Sequence, residues 1–257
     1  MPRYKAIIAY DGTNFNGFQS QINGRTVQDE LEKTLYKLNN NQSITIFGSG
    51  RTDAGVHALG QVIHFDYPKA RDVEKLRFAL DTQSPADISV KKIEEVSNNF
   101  HARYHVIEKT YQFKIDTGKT RDPFRRFYAS YFPHSIDLAK IEKALPDLLG
   151  EHDFTSFCAA GCSVDSKIRT IYEASVSQTS EDEIIFTFRG NGFLYKMVRI
   201  IVGTLLKIGQ GKIKETAIPE IIAGKNRRLA GPTAHPEGLY LVQVIYEENS
   251  MKTIQNR

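Results

Sequence analysis

The chain has 257 residues, 40% of them hydrophobic and 25% charged, which suits a globular protein of one large or two small domains. Its net charge of +4 is too mild to establish nucleic-acid binding, so a basic face would have to come from local clusters. Cys158 and Cys162 lack the second ligand pair of a zinc knuckle and fit a reduced, cytoplasmic chain; Ile200 to Leu206, the longest apolar run, is far too short to span a bilayer, and Met1 to Tyr10 reads as a strand rather than a signal peptide.

In chain order, Tyr4 to Ala9 is a β-rich run that predicts a buried strand. Asp11 to Gln19 follows as a polar loop with Phe15 and Phe18 as anchors. Val27, Leu31, Leu35 and Leu38 recur at helical spacing, so a helix is expected over Thr26 to Leu38 with Thr26 as its cap. Ser43 to Phe47 and Gln61 to Phe65 read as strands, Val73 to Leu80 as a second helix, and Ile88 to Val96 as a strand. Polarity rises at Ser97, Asn98 and Asn99, which puts a domain boundary near residue 100.

Between the second and third strands lies Gly48-Ser-Gly-Arg51-Thr-Asp53-Ala-Gly-Val-His57-Ala58, with three glycines, one carboxylate, one arginine and one histidine in eleven residues. Glycines at that density let the backbone turn sharply and approach a ligand. A phosphate cradle would need the spacing and lysine of a P-loop, and a metal site on Asp53 and His57 would need a partner cluster that is absent nearby. A reactive carboxylate at Asp53 with Arg51 as electrostatic partner remains, beside the plainer reading of a tight turn.

The second half opens with Phe100-His-Ala-Arg-Tyr104 and a strand in which Tyr111, Phe113 and Ile115 share one face. Tyr111 is either a half-buried core aromatic or a ring that stacks on a base. Lys119 to Tyr128 interleaves Arg121, Arg125 and Arg126 with Phe124, Phe127 and Tyr128, a composition suited equally to phosphate contact with stacking and to a solvated loop. Ile136 to Leu149 is patterned as an amphipathic helix, and Ile168 to Val176 with Glu183 to Arg189 as paired strands. Gly192 to Gly209 is the most apolar helix, with Lys196, Arg199, Gly203 and Lys207 as a narrow polar stripe. A last strand, Leu239 to Tyr246, follows the turn Gly231 to Gly238, and residues 251–257 form a polar tail. Strands and helices mixed in this order predict an α+β fold with helices on one side of the sheet.

Gly50-Arg-Thr-Asp-Ala-Gly-Val-His-Ala58 resembles the signature motif of the TruA family of tRNA pseudouridine synthases. The segment around Tyr111 resembles the family's second motif, and Gly190-Asn-Gly-Phe-Leu-Tyr-Lys-Met-Val-Arg199 its third. The resemblance implies two related α/β halves, residues 1–100 and 101–250, forming a continuous mixed, mainly antiparallel sheet with a central RNA-binding cleft. It implies isomerisation of uridine to pseudouridine in the anticodon arm, at tRNA positions 38, 39 and 40, by a homodimer that needs no cofactor and no metal. Asp53 would be the nucleophile or base, Tyr111 the active-site aromatic, and Arg199 the charge partner of Asp53. Arg51, His57, Arg125 and Arg126 are expected to contact RNA. An RNA-binding module without catalysis would share the strands, cations and aromatics, but would not need the carboxylate of Asp53.

Overall fold

The computed structural model describes residues 1–162 and 164–247, so the expected tail at 251–257 lies outside the described residues. In chain order the first elements are β1 (Arg3–Tyr10), α1 (Val27–Leu38), β2 (Phe47–Gly48), β3 (His57–Asp66), α2 (Val73–Gln83) and β4 (Ile88–Val96). There follow β5 (Val106–Asp116), β6 (Ser130–Tyr131), α3 (Leu138–Ala144), β7 (Gly150–Asp153), β8 (Ile168–Ser180), β9 (Glu183–Gly190), α4 (Met197–Gly209), α5 (Ile218–Ala223) and β10 (Leu239–Tyr246). Strands and helices of both kinds make the fold α+β.

The chain divides into two compact units, one of residues 1–107 with residues 241–247, the other of residues 108–240. The boundary therefore falls at 107/108 rather than near 100, and the final strand returns to the first unit. The polar triplet at 97–99 is only a turn. Beyond it Phe100 and Ala102 are fully buried with Val62, Val96 and Tyr246, and the Tyr246 hydroxyl donates to Ala102 O at 2.6 Å. Burial of that cluster ties residues 100–105 to the first unit, which the local rise in polarity did not disclose.

In the first unit the strand order is β4-β1-β3-β10, with β2 paired to β3; β1 runs antiparallel to both β3 and β4. Thr26 caps α1 by accepting from the Asp29 amide, as the spacing predicts, and α1 packs on α2, which packs on β4. In the second unit the order is β5-β9-β8-β7, with β5, β9, β8 and β7 antiparallel and β6 parallel to β5. The helix expected over Ile136 to Leu149 is a short α3 followed by a 3-10 turn, Leu145–Leu148, because Pro146 carries no amide hydrogen to continue the α-helical ladder. The largely apolar α4 is buried on almost every side and packs against α3.

Three histidines fasten the turn after β4. The amides of His101, Ala102 and Arg103 donate to Nδ1 of His105, His64 and His101, at 3.2, 3.1 and 3.1 Å. An accepting Nδ1 carries no proton, so these contacts hold the His64 and His101 rings neutral. Burial, followed by neighbouring His101 and Arg3, pushes His64 down to about 4, with Asp66 opposing and His105 adding to the effect. Its unfolded-state value lies above that, so between about 6.5 and 4 the unfolded chain binds the extra proton. Stability from this residue is complete above that window and is lost as pH falls through it, by up to about 3 kcal/mol. Urea unfolding at several pH values should show the loss, and His64→Asn, whose amide oxygen can accept from Ala102 without titrating, should flatten that part of the profile. Identical pH profiles for the two proteins would rule out His64 as the source.

Candidate active site

The glycine-rich loop is shorter than expected. The strand before it is only Phe47–Gly48, and β3 already begins at His57, so the loop proper spans residues 49–56. At its base, the Ser49 amide donates to Val62 O (2.7 Å), the Ser49 hydroxyl to Gln61 Oε1 (2.5 Å), and Gln61 Nε2 to Gly50 O (2.9 Å). At its centre, the Val56 amide closes a turn onto Asp53 O at 3.1 Å, with Gly55 at φ +76°. Asp53 is half-buried on that turn, and Arg51 is exposed beside it.

Residues Asp11 to Gln19 form the support of this loop. Phe18 N donates to Thr52 O (3.2 Å), Gly55 N donates to Phe15 O (3.3 Å), and the Tyr10 hydroxyl lies 2.8 Å from Thr52 Oγ1. Phe15 and Phe18 are buried, as their expected anchoring role requires. Gly12 meets the loop so closely that a Cβ there would overlap the carbonyl of Val56. The composition Asp-Gly-Thr-Asn-Phe-Asn-Gly in residues 11–17 was the available signal: two glycines between buried aromatics mark close backbone approach. Gly12→Ala should push the two loops apart, costing about 2 kcal/mol or more, and lower turnover with it. Thermal melting and activity of this variant check the prediction; an unchanged melting temperature would contradict the buttress.

His57 is 2% exposed, and its Nδ1 accepts from the Gly12 amide at 3.0 Å, with Asp11 Oδ1 3.2 Å away. A ring so enclosed is badly placed for the RNA contact expected of it and well placed to brace Gly12 under the loop. Arg51, Asp53 and His57 are thus gathered in the first unit.

Tyr111 and Arg199 belong to the second unit. Tyr111 is 8% exposed on β5, and its ring meets the edge of Phe193 at a centroid distance of 5.2 Å and 80° between planes. Phe193 lies in the segment leading into α4, which starts at Met197 rather than Gly192 because Lys196 takes a left-handed conformation at φ +59°. Arg199 stands in the first turn of α4. Its Nε donates to Ala234 O at 2.8 Å, and the Ala234 amide returns a bond to Arg199 O at 3.0 Å. One turn on, Gly203 admits the same segment so closely that a Cβ would overlap Pro232 O, and Thr204 Oγ1 accepts from the Gly231 amide at 2.8 Å. The turn Gly231 to Gly238 is therefore the clamp that fixes the Arg199 guanidinium, a role that its sequence position alone did not reveal.

Arg125 and Arg126 behave differently from each other. Arg125 is a strut: Nη2 donates to Glu183 Oε1 at 2.8 Å, and Nη1 lies 3.5 Å from Asp116 Oδ1. Arg126 is exposed, its guanidinium 4.1 Å from the centroid of Phe127, in a loop whose Phe124 is 86% exposed. Of the two arginines, only Arg126 stands on the surface as an RNA contact requires. Among the described residues, no group of three or more His, Cys, Asp or Glu side chains is placed to hold a metal ion, and no helix is long and apolar enough to cross a membrane.

The α+β fold thus holds a half-buried carboxylate, Asp53, on a braced glycine-rich loop. Residues 6–105 and 144–247 match the family described as tRNA pseudouridine synthase. A protein of Streptococcus suis (strain 98HAH33) named tRNA pseudouridine synthase A is 57% identical over 249 residues, 96% of this chain and 100% of its own length. One of the same name from Lactococcus lactis subsp. lactis (strain IL1403) is 56% identical over 251 residues, 97% of this chain and 99% of its own. The chain belongs to the tRNA pseudouridine synthase family and is an isomerase.

Proposed function

We propose that the chain converts uridine to pseudouridine in the anticodon stem-loop of tRNA, with Asp53 as the carboxylate that opens the N1–C1′ bond. The observation that carries this reading is the braced loop, which holds Asp53 half-buried on a turn whose backbone is tied at both ends. Substrate and product are isomers. The N1–C1′ bond breaks, the uracil turns, C5 joins C1′, the C5 hydrogen leaves as a proton and N1 gains one. Asp53 starts the sequence by attack at C1′ or C6, or by removing the C2′ proton; all three routes use the ionised carboxylate.

In this reading Arg199, clamped by Ala234, is the charge partner of Asp53 and offsets the cost of partly burying it. Tyr111 supplies an aromatic face for the uracil, which must leave its stack at a cost of about a few kcal/mol. Arg51 and Arg126 contact RNA phosphate, whereas Arg125 and His57 hold the loops that present them. The protein acts as a homodimer in the cytoplasm. Mapping pseudouridine by carbodiimide-dependent reverse-transcription stops tests the substrate: stops at positions 38–40 support it, and stops only outside the anticodon arm refute it. Tyr111→Phe keeps the ring and removes the hydroxyl, so it should bind tRNA normally and turn over about tenfold or more slowly; wild-type turnover would limit Tyr111 to stacking.

A further inference from the structure

Phe47, His64, His101 and Tyr104 form a ladder of rings in the first unit that the chemistry at Asp53 does not use. Phe47 stacks on His64 with centroids 5.0 Å apart and planes 18° from parallel. His64 meets His101 at 4.6 Å, and His101 meets Tyr104 at 4.3 Å. Phe47 and His101 are 5.6 Å apart, so the rings enclose a compact group. Its inner member, His64, is 2% exposed, while Phe47 is 47% and Tyr104 74% exposed. The ladder thus runs from the core to an aromatic step on the surface.

Three features of this step say what it meets. Its rings are neutral, because Nδ1 of both His64 and His101 accepts a backbone amide. It presents ring faces and edges, so it suits a flat aromatic partner better than a phosphate. It is also rigid and continuous with the catalytic loop, since Phe47 pairs with His64 across β2 and β3 and stands one residue before Gly48. Arg103, exposed in the same turn, and Arg51, exposed in the loop, give its surroundings a charge that favours a polyanion.

We propose that Phe47 and Tyr104 form a stacking step for an unpaired nucleobase of the tRNA substrate, separate from the uridine under reaction, which fixes the RNA relative to the loop of Asp53. Neutral aromatic rings accept any base by its face, so the step adds affinity and register without selecting sequence. The inference rests on tRNA being the substrate.

Tyr104 is the residue to test, because its exposure makes truncation harmless to folding. Tyr104→Ala should raise Kd for tRNA, measured by filter binding, and KM about tenfold, with the melting temperature unchanged and a much smaller effect on kcat. Tyr104→Phe should restore wild-type values. Phe47→Leu should weaken binding in the same direction. Unchanged Kd and KM in Tyr104→Ala would overturn the proposal. So would failure of Tyr104→Phe to restore binding, which would assign the effect to the hydroxyl. A change confined to the sedimentation coefficient would assign the surface to contact between copies of the chain and equally overturn it. Filter binding reads the step even without turnover, so its outcome is distinguishable from a failure of the proposed isomerisation.

Discussion

Asp53→Asn should fold, bind tRNA as tightly as the wild type or slightly more so, and lose turnover by about a thousandfold or more. The substitution is nearly isosteric. Several contacts that shape the loop run through backbone and neighbouring side chains: Val56 N to Asp53 O, Phe18 N to Thr52 O, and Tyr10 to Thr52. None of these needs the Asp53 carboxylate, and the amide fills the same space, so the loop is expected to persist in the variant. An amide neither attacks carbon as a carboxylate does nor removes a proton, whichever of the three routes operates. It also takes one negative charge away from RNA phosphates, which is why affinity should hold or rise. Near-wild-type turnover in Asp53→Asn would remove Asp53 from the mechanism, and loss of binding together with turnover would reduce it to a structural residue.

Arg199→Ala is the second large effect. In the proposed role the guanidinium stabilises the ionised carboxylate, and removing a partner from a partly buried charge costs far more than removing an exposed ion pair. A fall in kcat of about a hundredfold is expected, on the scale found for removal of one aimed donor from an active site. Arg199→Lys should recover only part of it. A lysine has no counterpart of Nε to donate to Ala234 while extending charge past it, so the clamp and the charge can no longer be supplied together. Kinetics of the three proteins, with thermal melting as a control for the packing of α4, decide the matter. Equal activity in Lys and wild-type forms would show that only the charge counts, and equal activity in all three would leave Arg199 as a helix residue held by its neighbours.

Much of this could be read before the structure. Helical spacing located α1 and alternation located β5, because each buries one face and its periodicity follows. The loop of Asp53 stood out by composition alone. What escaped was set by contacts between segments far apart in sequence. Phe100 and Ala102 look like the opening of a second half, yet Tyr246 and Val62 bury them in the first. His57 looks available within the motif but is enclosed under Gly12, and Arg125 looks like part of a basic loop but is spent on Glu183 and Asp116. Lys196 delays the start of the apparent helix to Met197 through a backbone conformation that no hydrophobic pattern encodes. The turn 231–238 carries no chemistry of its own, so only its hydrogen bonds to Arg199 and Thr204 reveal what it does.

The most direct test is tritium release from tRNA labelled at uridine C5, assayed with the purified wild-type chain and no added cofactor. Joining C5 to C1′ expels that hydrogen, so release should accompany pseudouridine formation one for one and stop when every target uridine has reacted. Tight binding of the same tRNA with no tritium released would contradict the isomerisation at its central step.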